Sequence, residues 1–168
     1  MRVATGADAL AVADVHIRAW RVAYAGLLPA HELDALDPRE RAQRYDFDNR
    51  SPGAARTFVA LRDDRIAGFA TCGCEDGTPG ATRGELRALY IDPDRWREGL
   101  GLRLLHRAEA HLRELGFEEA VLWVLIGDER AERFYAAHGW RADAERRHER
   151  FWGVPVEVKR YSRALGPA

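Results

Sequence analysis

Lysine, asparagine and methionine are almost missing from this chain, which holds only Lys159, Asn49 and Met1. Every other cationic side chain apart from the histidines is arginine. That bias is what the base composition of a GC-rich genome produces, so the arginine count carries no claim about recognition. An excess of either charge is also missing, since the formal net charge is -1. A broad nucleic-acid face needs surplus Lys and Arg to displace condensed counterions, and the balance argues against one. Cysteine is scarce: Cys72 and Cys74 lie two apart in a strand-like segment, so their side chains share a face. This spacing is neither a C-x-x-C redox pair nor a zinc pair, and both are read as reduced thiols. No stretch approaches the roughly 18 apolar residues of a membrane span. Met1 to Leu10 lacks a basic segment followed by an apolar run, so a cytoplasmic location is expected.

What the chain has is the composition of an ordinary globular protein, with 46% hydrophobic and 32% charged residues. Its 168 residues are enough to bury a self-sufficient core, and without a repeat or a linker they read as one domain, 1–168. Arg2-Val3-Ala4 is a short strand candidate. Leu10, Ala13, Ile17, Trp20 and Tyr24 then recur at helical spacing. Pro29 can open a helical turn. Asp37-Pro38-Arg39-Glu40 offers an N-cap, a proline at N1 and a capping-box glutamate for a short helix to about Tyr45. Strands are expected over Thr57–Leu61 and Ile66–Cys74, joined at Asp63-Asp64, and over Arg83–Ile91, closed by Asp92-Pro93.

From Gly99 to Leu115 the positions Gly101, Leu104, Leu105, Ala108, Leu112 and Leu115 fall on one helical face, with Gly116 as C-cap. Val121–Leu125 suits a central strand covered on both faces. Asp128 can cap a helix carrying Ala131, Phe134, Tyr135 and His138. Two strands around Trp140–Arg146 and Val156–Tyr161, linked by Trp152 to Pro155, close the chain. The sum is an α/β arrangement, with antiparallel strands first and a parallel pair in the middle.

The most informative segment is Arg95-Trp96-Arg97-Glu98-Gly99-Leu100-Gly101, between a strand and a strongly amphipathic helix. Glycines at such a turn let backbone N–H groups approach a ligand, and a helix N-terminus favours phosphate, so the turn reads as a pyrophosphate cradle. A dinucleotide fingerprint would need a third glycine where Leu104 stands, and a P-loop would need Gly-Lys-Ser/Thr. A tight connection that holds no ligand is the bland alternative.

Context adds a resemblance. Glu85-Leu86-Arg87-Ala88-Leu89-Tyr90-Ile91-Asp92-Pro93 followed by Gly99-Leu100-Gly101 resembles the acetyl-CoA motif of the GNAT (GCN5-related N-acetyltransferase) family. Trp123 to Trp140 is similar to that family's Asn-x-x-Ala-x-x-Phe-Tyr-x-x-x-Gly-Phe block, and Val15 to Pro29 to the opening of a bacterial subgroup. Two positions depart: Trp96 stands where the family usually has Gln or Arg, and Asp128 where it has Asn. The resemblance implies the GNAT fold, a mixed and mostly antiparallel sheet of about seven strands flanked by about four helices.

It also implies direct transfer of an acetyl group from acetyl-CoA to an amine. Glu85 then occupies the place of a carboxylate base, with an ion pair to Arg87 as the alternative; Tyr135 matches the general acid, with core packing beside Phe134 as the alternative. An N–H near Leu89 is the expected oxyanion donor. Leu89, Tyr90 and Ile91 are expected to pair with the pantetheine arm, and Arg97, Glu98, Gly99, Leu100, Gly101 and Leu102 to hold the pyrophosphate, with Arg97 supplying charge that Trp96 lacks. Asp128 and Tyr135 complete the implied coenzyme set. Trp20, Tyr24, Tyr90 and Trp152 are either core or the lining of an acceptor pocket. The six histidines show no metal spacing, so no metal is expected.

The implied partners are a coenzyme A thioester and an amine of a small molecule or peptide, with neither nucleic acid nor membrane. A homodimer is compatible with the resemblance. A catalytically silent acyl-CoA-binding module and a transferase for longer acyl chains are the competing readings.

Overall fold

The fold grows from one long sheet. In the computed structural model, which describes residues 1–51 and 53–166, seven strands run in the order β1-β2-β3-β4-β5-β7-β6. They are β1 (Arg2–Val3), β2 (Arg56–Arg62), β3 (Arg65–Cys74), β4 (Gly84–Ile91), β5 (Glu119–Leu125), β6 (Arg141–Phe151) and β7 (Val154–Ala164). Every neighbouring pair is antiparallel except β4 with β5. The helices are α1 (Ala9–Ala23), α2 (Ala30–Asp34), α3 (Pro38–Ala42), α4 (Leu100–Glu114) and α5 (Glu129–Ala137). There are five rather than about four, because the turn after Pro29 and the Asp37-Pro38 start each make a separate short helix.

Burial explains why the helices lie where they do. The apolar stripe of α4 (Leu104, Leu105, Leu112) packs on one sheet face against Phe58, Leu86 and Leu122. On the other face α1 and α2 bring Trp20, Tyr24 and Leu33 against Leu125 and Val158. Further along α1, Val12 and Val15 meet Val59 and Phe69. β5 is thus covered on both faces, as its continuous apolar run requires.

Turn chemistry sets the register. Asp63 and Asp64 both take positive φ (50° and 56°), the two-residue geometry that matches strand twist and that Asp tolerates better than most residues. Trp152 and Gly153 do the same between β6 and β7. That hairpin is longer than its sequence pattern predicts: β6 continues beyond Arg146 to Phe151 and pairs with β7 from Val154, so the expected Trp152–Pro155 link shrinks to two residues.

Two other boundaries differ. α3 stops at Ala42 because Tyr45 turns inward, its hydroxyl 2.8 Å from Nδ1 of His16. Asp37 caps α3 by accepting from the Arg39 N–H at 2.7 Å with Pro38 in the first turn, but Glu40 returns no capping-box bond. Leu115, expected on the buried face of α4, is 51% exposed. The helix ends at Glu114, Gly116 turns at φ 90°, and Phe117 takes the place against the core.

One irregularity positions everything that follows. Between Thr71 and Cys72 the β4 partner jumps from Ala88 to Leu86, so Arg87 is the extra residue of a β-bulge. Bulges bend the strand that carries them. β4 and β5 are in register only at Gly84–Ala120 and Glu85–Val121, and past the bulge they part.

Candidate active site

The divergence leaves a strand edge open inside the protein. The Asp92 N–H donates to Ala67 C=O at 2.9 Å, on the β3 side. By the alternation of an antiparallel ladder, Tyr90 and Ala88 also bond toward β3, whereas the main-chain groups of Leu89 and Ile91 point to the edge β5 has left. Ile91 C=O finds a partner there, the Trp96 indole N–H at 2.9 Å. The N–H and C=O of Leu89 and the N–H of Ile91 face the cleft. Backbone groups in such a place need partners, and the edge has the geometry to pair with an extended, amide-bearing ligand.

Next along the chain is the glycine turn. Asp92 accepts from the Asp94 N–H at 3.0 Å and opens a single helical turn, Pro93–Arg95. Arg18 of α1 holds that turn in place through Asp92 (2.8 Å) and Asp94 (2.6 Å). The chain then reverses through Arg97 (φ 67°) and Gly99 (φ 75°). Gly99 is the N-cap of α4 and offers no side-chain acceptor, so the first N–H groups of the helix stay free for an anion. A cavity of about 530 Å³ joins this helix start to the open edge, lined by Leu89, Tyr90, Ile91, Gly99 to Leu102, Phe134 and Tyr135. Arg130 of α5 lies over the Trp96 ring, its guanidinium carbon 3.5 Å from the ring centroid, and both residues line the cavity.

A narrower slot of about 80 Å³ continues between the parted strands, with Leu86 to Tyr90 on one side and Leu122 to Leu125 on the other. Tyr135 and Asp128 border it, as does Tyr24, whose hydroxyl is 3.1 Å from that of Tyr90. Tyr135 lines both spaces, and its hydroxyl has no hydrogen-bond partner among the described residues. Burial, before any charge effect, pushes its phenol far above the usual range, so it keeps its proton at physiological pH.

Glu85 sits two residues before the bulge. It is 6% exposed, accepts from the Asp76 N–H at 3.1 Å, and lies 3.4 Å from Arg87 Nε and 3.9 Å from Arg147. Burial raises its carboxyl above the usual glutamate range, and the Asp76 N–H and the two arginines only partly offset that. Arg147 also covers the Trp123 ring at 4.0 Å.

The sequence profile of the Acetyltransferase (GNAT) family matches residues 17–140. The chain belongs to the GNAT family. It is 30% identical over 116 residues to the uncharacterized N-acetyltransferase YuaI of Bacillus subtilis, covering 68% of this chain and 64% of that protein. It is 41% identical over 112 residues to mycothiol acetyltransferase of Propionibacterium freudenreichii, covering 64% of this chain but 33% of that enzyme. The chain thus spans less than two thirds of the length of these curated relatives. The PaiA N-acetyltransferase of Thermoplasma acidophilum, solved in complex with coenzyme A, superposes with a TM-score of 0.66 at 19% identity over 95% of this chain and 98% of that one.

Set in this GNAT fold, the residues singled out from sequence fall into three groups. Leu89, Tyr90, Ile91, Arg97, Gly99, Leu100, Gly101, Leu102 and Tyr135 line the larger cavity together. Asp128 borders the slot, with one oxygen accepting from the Ala131 N–H at 3.0 Å. Glu98 and Glu85 line neither space. Glu98 turns outward to Arg62 (3.2 Å) and Arg95 (3.6 Å). Of the aromatics, Trp20 and Trp152 pack edge to face at 4.5 Å between α1 and the last hairpin, away from both spaces, while Tyr24 and Tyr90 border the slot.

Sequence reasoning missed Arg130 and the Arg18 tether. Arg130 had a signal: it precedes Phe134 by four residues, so on a helix it shares the face that Phe134 turns to the cavity. Arg18 had none, because its partners Asp92 and Asp94 are more than 70 positions away. Among the described residues no group of three or more His, Cys, Asp or Glu side chains is placed to hold a metal, and no helix is long and apolar enough to cross a membrane.

Proposed function

We propose that this chain, as one 168-residue domain, is an acetyl-CoA-dependent N-acetyltransferase that passes an acetyl group directly to a primary amine of a small molecule or peptide. The observation that carries the reading is the continuity of the open β4 edge with the uncapped start of α4 across one cavity. The edge suits the two amides of a pantetheine arm, and the helix start suits the diphosphate at its far end. Relatives named as N-acetyltransferases and a similar fold that carries coenzyme A support the same conclusion.

When bound, acetyl-CoA supplies an activated acyl carbon and a sulfur leaving group. Leu89 N–H is the donor for the carbonyl oxygen as negative charge builds there. Tyr135 hands its phenol proton to the departing sulfur as the C–S bond breaks and the new C–N bond forms. Glu85 takes the proton from the incoming ammonium through water, because it lies outside the cavity and the slot. Its raised pKa makes it a stronger base than an ordinary glutamate. The acceptor approaches from the Trp123 side, where Arg87 and Trp123 line the slot. We place the protein in the cytoplasm, in keeping with two free cysteines.

A second reading has one observation in its favour. The Glu85 carboxylate is already held by Arg87, Arg147 and the Asp76 N–H, which suits a silent acyl-CoA sensor as well as a base. Titration calorimetry with acetyl-CoA, followed by a thiol-release screen over a panel of amines, separates the two. Binding with release for one amine class is the expected result. Binding without release favours the sensor, and no binding overturns the placement of the coenzyme.

A further inference from the structure

Most of the cavity wall is apolar or backbone, so charged side chains that face it are conspicuous. Three arginines line it: Arg95, Arg97 and Arg130. Arg95 is engaged, 2.8 Å from Asp63 and 3.6 Å from Glu98. Arg97 is exposed on the turn itself. Arg130 differs from both, because it comes from α5 and its guanidinium carbon lies over the Trp96 ring, 3.5 Å from the centroid. It forms no ion pair with a carboxylate among the described residues. The neighbouring Asp128 is directed into its own helix cap.

Trp96 is itself fixed, its indole N–H donating to Ile91 C=O at 2.9 Å. A ring anchored at its nitrogen and covered by a guanidinium acts as a shelf. A guanidinium that stacks on a ring keeps the N–H donors along its edge, and such a fork recognises phosphate oxygens two at a time. Partial loss of water around Arg130 disfavours its charge, an effect that nearby Asp128 only partly offsets, and a further anion beside it would restore the balance.

We infer that Trp96 is a positioning residue that holds Arg130 against the coenzyme diphosphate, so that α5 adds a second charge to the one Arg97 brings to the glycine turn. The inference rests on the acetyl-CoA reading of the cavity. Trp96 therefore does not weaken the site by replacing a polar side chain; it adds a second source of charge.

The test uses the intact protein and calorimetry with coenzyme A and with 3′-dephospho-coenzyme A at two salt concentrations. Arg130→Gln is expected to weaken both ligands by about tenfold or more and to flatten the salt dependence, since a charge-assisted contact is removed. Trp96→Ala is expected to weaken them to a similar degree, and the double variant to bind about as well as either single variant. Thermal melts of each variant identify any that fail to fold, and Arg130→Lys, which keeps the charge but not the guanidinium stack, provides a milder substitution expected to bind between Arg130→Gln and the wild type.

If the wild type binds and Arg130→Gln binds equally well, the inference is overturned while the coenzyme site stands. Loss of the Arg130→Gln effect with 3′-dephospho-coenzyme A overturns the diphosphate assignment in favour of the 3′-phosphate. Additive effects of the two substitutions overturn the positioning role of Trp96. A wild type that binds neither ligand overturns the inference together with the reading beneath it.

Discussion

Replacing Tyr135 by Phe removes one oxygen and little else. The ring sits in the wall shared by the cavity and the slot, packed edge to face on Phe134 at 5.3 Å and near Trp140 at 6.1 Å. All of that contact is kept by phenylalanine. The hydroxyl has no protein partner among the described residues, so its loss strands no buried donor or acceptor, and stability should stay within about 0.5 kcal/mol of the wild type or rise slightly. Turnover should behave differently. A positioned proton donor contributes about 100-fold or more, equivalent to roughly 2.7 kcal/mol of transition-state stabilisation, and the other tyrosine that lines both spaces, Tyr90, has its hydroxyl engaged with that of Tyr24 at 3.1 Å. The thiol-release assay with the best amine of the panel should therefore show kcat lowered by about two orders of magnitude. Coenzyme affinity by calorimetry should stay within about a factor of two, since the lost contact belongs to the transition state. Because burial raises the phenol, wild-type activity should also hold on the alkaline side to at least pH 9. An unchanged kcat refutes the acid role, and a large fall in melting temperature refutes the claim that the hydroxyl is structurally idle.

Gly99→Glu should split binding from folding. A carboxylate at a helix N-terminus favours the helix, while the φ of 75° costs a non-glycine residue about 1 kcal/mol, so the melting point should move little even as repulsion of the diphosphate abolishes detectable coenzyme binding. Gly68→Ala should destabilise by about 1–3 kcal/mol in denaturant titration, because the new Cβ would lie 2.5 Å from Ile91 Cδ1 and 2.9 Å from the Tyr90 carbonyl oxygen, and backbone cannot swing aside. Asp8 is lowered to about 2, first by the Arg2 hydrogen bond, so its contribution is complete above pH 4 and is lost as pH falls toward 2. Arg2 is half-exposed, which screens this to about 1 kcal/mol, and Asp8→Asn should remove that slope from the acid limb of an unfolding profile.

How far the sequence could be read follows from which forces act locally. Helices α1, α4 and α5 announce themselves because burial of a stripe imposes a period, and the Gly99 turn because only certain backbones can lie against phosphate. The sequence pattern ends β6 too early because its residues, from Arg141 to Arg150, are charged on both faces. An edge strand has only one ladder and can remain exposed, so no alternation marks it. The bulge at Arg87 left no trace either, since one extra residue in a strand does not change composition, yet it is what parts β4 from β5. Glu85 shows the same limit. Its position along β4 suggested a base or an ion pair with Arg87, and Arg87 does lie 3.4 Å away, but the second cation that faces it, Arg147, comes from β6 and is adjacent only once the last hairpin is in place. Arg130 is legible in principle, because its spacing of four from Phe134 puts it on the helix face turned to the cavity.

Under the proposed function, the interruption between β4 and β5 is filled by something the gene does not encode. A linear ligand in that gap is in effect a strand with no residue numbers, and it joins the two halves of the sheet through the same kind of bond that joins β3 to β4. Two properties usually treated as separate, cohesion of the fold and occupancy of the site, then become one variable. Heat tolerance should climb with ligand concentration by RT ln(1 + [L]/Kd), and amide exchange at Leu89 and Ile91 should slow in step with it. The protein would register the abundance of its ligand in its own rigidity before any bond is made or broken.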